Sequence, residues 1–215
     1  MTSDVLGIET PEAEADGRHV RGDRTRQALL EAAFSEIYEQ GFRSARLNEI
    51  VARAGCTKGS LYHHFPDKHA LGVAAAAEFI GAYIENVWIA PLAATDDPLA
   101  TIRAIIERHA EGGIGVDPRS GCPYQNLSQE LSGIDAGFQK IFTDLFERWR
   151  AAVATALERG QAEGTVRPGI DARATATLIV ASHQGVVSMI KATQDLEVGH
   201  AAATAFFDYL ESLRP

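Results

Sequence analysis

The sequence predicts an all-α protein, with a small three-helix head of the helix-turn-helix type and a larger helical body, about nine helices in all. Apolar residues recur at intervals of three and four along most of the 215 residues, which is the spacing of one helix face. No alternation of apolar and polar residues indicates a strand. Alanine is abundant and aromatic residues make up only 7% of the chain, a composition that favours helices over sheets.

Composition narrows the class of protein. Hydrophobic residues make up 46% of the chain, which is ample for a core. The two cysteines, Cys56 and Cys122, are too far apart in sequence to indicate a disulfide framework. No apolar run reaches the roughly 18 residues of a membrane span, and no signal-peptide pattern opens the chain. We therefore expect a soluble, cytoplasmic protein without a membrane partner.

The head is predicted over residues 21–66, after an acidic tail without periodicity at 1–20, which we expect to be disordered. Its first helix lies in "DRTRQALLEAAFSEIYEQG" and ends at Gly41. A second helix lies in "RLNEIVARAG". A third, in "TKGSLYHHF", is capped by Thr57 and ended by Pro66.

The body is predicted over residues 67–215. Asp67 caps a long helix, "KHALGVAAAAEFIGAYIENVWIA", which we expect to end before Pro91, and Pro98 opens the next. A short helix follows in "YQNLSQEL" and a terminal one in "EVGHAAATAFFDYLESL". Between them lie two long helices, 138–163 and 172–192.

Charge is distributed unevenly along the chain. The net charge of −9 argues against a nucleic-acid partner, but residues 18–68 hold nine Lys and Arg against six Asp and Glu, a net of +3. Binding to phosphate depends on the local field, because salt screens charges beyond roughly 10 Å. The head is therefore compatible with a polyanionic partner.

The segment "GCTKGSLYHHFPDK" (55–68) collects side chains that could bind a metal or react. Helical ligand pairs sit four residues apart, whereas His63 and His64 are adjacent and point about 100° apart. We therefore expect no metal site, and no cofactor. Cys56 stands where helix-turn-helix units bury a small apolar residue, so we interpret it as packing.

The predicted helix 58–64 has two different faces. Leu61 and Phe65 lie on one side, while hydrogen-bonding groups and Gly59 lie on the other. Glycine costs up to about 1 kcal/mol against alanine within a helix, so Gly59 suits a position that a DNA strand approaches closely. Joined to the preceding helix by a short turn, this is a helix-turn-helix arrangement.

The stretch "LLEAAFSEIYEQGFRSARLNEIVARAGCTKGSLYHHFPDKHAL" resembles the DNA-binding head of the TetR/AcrR family of bacterial transcriptional regulators. Three positions depart from the usual pattern: Arg46 in place of a capping Ser or Thr, Val51 in place of Ala, and Cys56 in place of a branched apolar residue. The resemblance implies that the helix from Lys58 reads double-stranded operator DNA. The expected DNA-binding residues are Arg46, Thr57, Lys58, Gly59, Ser60, Tyr62, His63, His64 and Lys68.

Dimerisation is expected because one recognition helix reads few base pairs, and paired helices reach successive major grooves about 34 Å apart. The helix 172–192 contains "TLIVASHQGVVSMI", which is too apolar for a single buried stripe. With 138–163 it would form a four-helix interface between two copies, as the family resemblance also implies.

A sensor is expected around Cys122, which opens the short helix where the helix dipole favours a thiolate. "RSGCPYQNLSQEL" resembles a subgroup of the family with a cysteine at this place, together with Gln184–Gly185 and Lys191. Some members of that subgroup respond to electrophiles or oxidants, and others bind small organic molecules. A purely structural cysteine is the third alternative. The candidate effector or sensor residues are Cys122, Tyr124, Asn126, Trp88, His109, Trp149, His183 and Lys191.

The sequence thus predicts a homodimeric repressor that a small molecule or an electrophile or oxidant releases from a palindromic operator. A thiol-dependent enzyme using Cys122 and His183 is an alternative, but no acid or oxyanion motif accompanies the pair. A regulator that acts through protein partners without a ligand is another, and a body without a cavity would favour it.

Overall fold

The computed structural model describes residues 17–110 and 117–215, and every regular element among them is helical. This confirms the predicted all-α fold. Residues 1–16 of the expected tail lie outside the described residues, whereas 17–20 form the first turn of a helix. The α-helices are α1 Gly17–Gln40, α2 Leu47–Arg53, α3 Lys58–His64, α4 Lys68–Ile84, α5 Ala90–Ala93, α6 Pro98–Ala110, α7 Pro123–Leu131, α8 Ala136–Glu163, α9 Ala172–Thr193 and α10 Leu196–Glu211.

The chain divides into two compact units. The first comprises residues 1–81 and 126–142, and the second comprises 82–125 and 143–215. Helices α4, α7 and α8 contribute residues to both. The units are defined by packing, whereas the domains predicted at 21–66 and 67–215 are defined by function, so those boundaries stay predictions.

In the first unit, α1, α2 and α3 pack around a core of aliphatic side chains. An ion pair fixes α2 against α1: the Arg53 guanidinium donates to both carboxylate oxygens of Glu39, at 2.7 and 2.6 Å, and to Ser35 Oγ at 2.9 Å. These bonds, chiefly that from Arg53, hold the pKa of Glu39 below its usual value. The helix-turn-helix thus has a defined place on α1.

The turn between α1 and α2 is held by two side chains from elsewhere in the first unit. Gly41 ends α1 in the left-handed region, at φ +80°, as predicted. The next two backbone N–H groups, of Phe42 and Arg43, donate to the Glu130 carboxylate at 2.9 and 3.0 Å. Lys68 Nζ donates to the Arg43 carbonyl at 3.2 Å.

The long helix after Asp67 does not end before Pro91, contrary to the sequence prediction. Residues Glu85–Ile89 form a π-helical turn, and α5 then continues through Ala93. Proline lacks an N–H and crowds the carbonyl four residues before it. The wider π turn, with bonds to the fifth residue, lets the helix pass this point.

The helical segment Lys68–Ala93 is also long and apolar enough, by length and composition, to cross a membrane. The expectation that no run reaches this length is therefore wrong. Core helices meet the same criterion, and its buried side chains include Leu71 and Ala75 in the first unit and Trp88 and Leu92 in the second.

The second unit is built around α9, which packs against α10. Asp171 caps α9 by accepting from the Ala174 N–H at 2.9 Å. The side chains buried most completely in this unit include Trp88 and Trp149. Their ring centroids lie 4.9 Å apart, so an aromatic cluster forms the centre of the unit.

Candidate nucleic-acid interface and effector cavity

Helix α3 begins and docks as its sequence predicts. Thr57 Oγ1 accepts from the Ser60 N–H at 3.1 Å, which is the capping bond expected of this residue. Leu61 and Phe65 are buried against the rest of the head. The opposite face of α3 therefore points away from the core.

That outward face carries side chains able to contact a nucleic acid. Tyr62 is 54% exposed, and Lys58, Gly59 and His63 are exposed beside it, while His64 is half-buried. A methyl group added at Gly59 would meet only Thr57 Oγ1, at 3.6 Å, an ordinary contact. Nothing within the described chain therefore requires glycine at this position.

Two further candidates lie at the N-termini of their helices. Arg46 is exposed at the N-cap of α2 and makes no side-chain capping bond, as its departure from Ser or Thr predicts. Lys68 is half-buried, with Nζ 4.9 Å from the centre of the Phe42 ring. This burial lowers the pKa of Lys68. Its bond to the Arg43 carbonyl uses one of three N–H donors, which leaves donors for a phosphate.

A cavity of about 50 Å³ lies within the second unit. Its walls come from α6, the segment before α7, α9 and α10, with Tyr83 from the end of α4. Most of the lining is aliphatic or aromatic. Of the candidate sensor residues, the cavity wall includes three: His109, Cys122 and His183.

His109 is held by two partners. Its Nδ1 lies 2.7 Å from the Ile105 carbonyl, so Nδ1 carries the proton and donates. Burial lowers the pKa of His109 to about 4, and the imidazole is neutral. Nε2 is then an acceptor, and the hydroxyl of Tyr83 donates to it.

His183 lies next to His109, with ring centroids 4.6 Å apart, but its hydrogen bonding differs. It is 5% exposed, and its Nε2 has no hydrogen-bond partner in the part of the chain that the structure describes. Complete burial, and then proximity to His109, lower its pKa well below the ordinary value. The cavity thus contains one neutral imidazole nitrogen without a partner.

Cys122 differs from the sequence expectation that its thiolate is favoured. The side chain is 3% exposed, and burial raises the pKa of the thiol. The N–H groups at the start of α7 oppose this effect, but desolvation is the larger influence. Gln184 Nε2 donates to Sγ at 3.6 Å, whereas His183 Nε2 does not contact the sulfur through a hydrogen bond.

The other candidates lie outside the cavity wall. Trp88 packs against the ring of His183 at 5.1 Å between centroids, and Trp149 contacts Trp88 and Tyr124. Burial raises the pKa of Tyr124 to about 12. Asn126 is half-buried in α7, and Lys191 is exposed in the last turn of α9.

Sequence reasoning missed several residues that the structure assigns to these sites. Tyr83 orients His109, and Val187, Ile190 and Phe206 form much of the cavity wall. Apolar residues at helical spacing do not reveal which of them face a cavity. Glu130 was part of a quoted motif, and only the structure shows that it holds the turn before α2.

Two family models match the chain. One, described as bacterial regulatory proteins of the tetR family, matches residues 29–75, and the other, described as tetracyclin repressor-like, C-terminal domain, matches 98–206. The chain belongs to the TetR family. It is a DNA-binding transcriptional regulator, and α3 corresponds to the recognition helix that the sequence predicts.

Relatives of this TetR-family regulator support the assignment. An uncharacterised HTH-type transcriptional regulator of Bacillus subtilis (strain 168), YxaF, is 31% identical over 145 residues, 66% of this chain and 75% of the relative. The HTH-type transcriptional repressor DhaR of Mycobacterium sp. (strain GP1) is 26% identical over 192 residues, 86% and 91% of the two chains.

The fold of this TetR-family protein matches that of solved relatives. The crystal structure of a TetR-family regulator from Cytophaga hutchinsonii superposes with a TM-score of 0.83, at 20% identity, over 94% of this chain and 98% of that one. At this identity the likeness concerns the fold alone.

Proposed function

We propose that this TetR-family regulator is a cytoplasmic, homodimeric repressor that leaves a palindromic operator when a small molecule occupies the cavity of its second unit. The observation that carries the proposal is the cavity itself, with the unpartnered Nε2 of His183 in its wall. A body without a cavity would have favoured a regulator that acts through protein partners alone.

The repressor role rests on similarity. DhaR, which this chain covers to 91%, is named a repressor. A thiol-dependent enzyme using Cys122 and His183 has less support, because the buried thiol has a raised pKa and is bonded by Gln184. The same burial disfavours a signal that acts by electrophilic or oxidative attack on Cys122, so a reversibly bound effector is the better hypothesis.

The dimer interface is proposed on α9 together with α8, as the sequence predicts. Side chains on one face of α9 are exposed although they are apolar or small: Leu178 is 49% and Met189 56% exposed, and Ala181 and Gly185 lie between them. Their spacing of three or four residues places them on one stripe. A second copy of the chain would remove this stripe from water.

The test combines DNA binding with the oligomeric state. Fluorescence anisotropy would compare labelled DNA from upstream of the protein's own gene with unrelated DNA of the same length, over a range of salt. We expect tighter, salt-dependent binding to the upstream DNA, by a dimer in sedimentation experiments. Equal affinity for both DNAs at every salt concentration would refute regulation of its own promoter region as the operator site.

A matched pair of variants tests the interface. Leu178→Glu would place a charge in the stripe and is expected to give a monomer with weakened operator binding. Ile134→Glu makes the same kind of change at a 60% exposed residue of the first unit and should leave the dimer intact. A dimeric Leu178→Glu protein would place the interface elsewhere.

A further inference from the structure

The chemistry of the cavity wall limits which molecules it can bind. Among the described residues that line it, none has an Asp, Glu, Lys or Arg side chain. Its two histidines are neutral because burial lowers both pKa values. A buried charge without a partner costs several kcal/mol, so a carboxylate or an ammonium group has no compensating contact here. The cavity therefore suits an uncharged molecule.

One polar group of the wall is available to such a molecule. His109 already bonds the Ile105 carbonyl and the Tyr83 hydroxyl through its two nitrogens. His183 Nε2 is buried without a partner among the described residues. Leaving a buried polar atom unpaired costs about 1–3 kcal/mol, and a ligand that pairs with it recovers that cost.

The kind of ligand group follows from the imidazole. A neutral histidine presents Nε2 as a donor in one tautomer and as an acceptor in the other. A hydroxyl group both donates and accepts, so it pairs with Nε2 in either tautomer, whereas a ketone pairs only with the donor form. A hydroxyl is therefore the best match to His183.

The size of the ligand follows from the volume. A cavity of about 10–15 Å³ on this scale holds one water, so about 50 Å³ holds roughly four water-sized groups. That corresponds to a short hydrocarbon rather than to a large polycyclic molecule. Ile106, Val187 and Phe206 supply apolar wall for it.

We propose that the cavity binds a small, uncharged alcohol whose hydroxyl group hydrogen-bonds Nε2 of His183 and whose hydrocarbon part packs against the aliphatic wall. The proposal rests on the proposed function of the cavity as the effector site and names the chemical class of that effector.

Calorimetric titration with four matched five-carbon probes tests the class. We expect pentan-1-ol to bind at least tenfold more tightly than pentanoate, pentylammonium or pentan-2-one. Equal or tighter binding of the acid or the amine would overturn the uncharged class. Equal binding of the ketone would overturn the hydroxyl assignment, and no binding of pentan-1-ol would overturn the proposal as a whole.

Variants test the position. His183→Phe keeps an aromatic ring but removes both nitrogens, and should weaken pentan-1-ol binding about tenfold. Ala203→Leu fills the cavity from α10 and should abolish binding, while Ala205→Leu, the same change at an exposed residue of α10, should leave it unchanged. Unchanged affinity in His183→Phe or Ala203→Leu would contradict the assigned site.

A measurement on the unaltered protein covers the case in which His183→Phe does not fold. With ¹⁵N-labelled histidine, saturating pentan-1-ol should shift the Nε2 resonance of His183 more than any resonance of the exposed His200. The opposite order would overturn the hydrogen bond.

Operator binding separates this inference from the proposed function. If the protein binds its operator but not pentan-1-ol, only the ligand class fails. If pentan-1-ol binds in the cavity but leaves operator affinity unchanged at saturation, the ligand class stands and the effector role of the cavity fails.

Discussion

The carboxylate of Glu130 accepts both backbone hydrogen bonds offered by the turn before α2, from Phe42 at 2.9 Å and from Arg43 at 3.0 Å. Lys68 holds the same turn from its other side through the Arg43 carbonyl. The start of the helix-turn-helix is thus fixed by an acid from α7 and a base from α4, both within the first unit.

Glu130→Gln should lower the free energy of unfolding by about 1–2 kcal/mol, because hydrogen bonds to a charged acceptor are stronger than those to an amide oxygen and only one oxygen remains. Urea denaturation measures this. Glu163→Gln makes the same isosteric change at the exposed end of α8 and should shift stability by less than about 0.5 kcal/mol. Equal stability of the two variants would contradict the role of Glu130.

Gly59→Ala should stabilise the free protein by about 0.5–1 kcal/mol and weaken operator binding, because the helix gains propensity while a methyl group intrudes where DNA approaches. Thermal unfolding and anisotropy measure the two effects. Gly22→Ala, at a helical glycine of α1 with open space around it, should raise stability without changing operator affinity. Undiminished affinity in Gly59→Ala would rule out a close backbone approach at this position.

Lys68→Ala should weaken binding to operator and unrelated DNA alike and reduce the salt slope by about 0.9 per protomer, the value for one lost phosphate contact. Lys140→Ala removes the same charge from an exposed site on α8 and should change the slope less. Glu130→Gln loosens the turn but keeps the cation, so its slope should not fall. A wild-type slope in Lys68→Ala would show that this lysine serves only the turn.

The buried histidines predict that stability falls in mild acid. The folded pKa of His109 is about 4, against about 6.5 when unfolded, so the unfolded chain binds more protons between these values. Stability is complete above pH 6.5 and declines as the pH falls towards 4, by about 3 kcal/mol for His109. The lowered pKa of His183 adds to the loss in the same direction.

Urea denaturation between pH 7 and 4.5 measures this decline. Protonation of ion-paired carboxylates such as Glu39, whose pKa is lowered, destabilises the protein only below about pH 4.5 and so belongs to another range. His109→Gln should flatten the decline, whereas His200→Gln, at an exposed position, should not. An equal slope in all three proteins would contradict neutral burial of His109.

Cys122 should react with iodoacetamide at least tenfold more slowly than Cys56 in the native protein, because Cys122 is buried with a raised pKa and Cys56 is half-buried. Mass spectrometry of peptides over time measures both rates. The two rates should converge in urea, which serves as the control. Rapid native labelling of Cys122 would restore the hypothesis of an electrophile sensor.

The sequence by itself determined the local features of this protein. Thr57 and Asp67 cap their helices, and Gly41 ends α1, because these outcomes depend on a few neighbouring residues. The helix-turn-helix and the docked side of Leu61 follow from spacing alone.

Only the tertiary structure decided the properties that depend on distant residues. Cys122 stands at a helix N-terminus, which favours a thiolate, but packing around it excludes water and raises its pKa instead. His183 is a mid-helix histidine in the sequence, and only its surroundings leave Nε2 without a partner. Glu130 and the turn it holds are brought together by the fold, because no helical periodicity connects them. Desolvation and long-range hydrogen bonds arise from how the chain packs, and local spacing does not specify them.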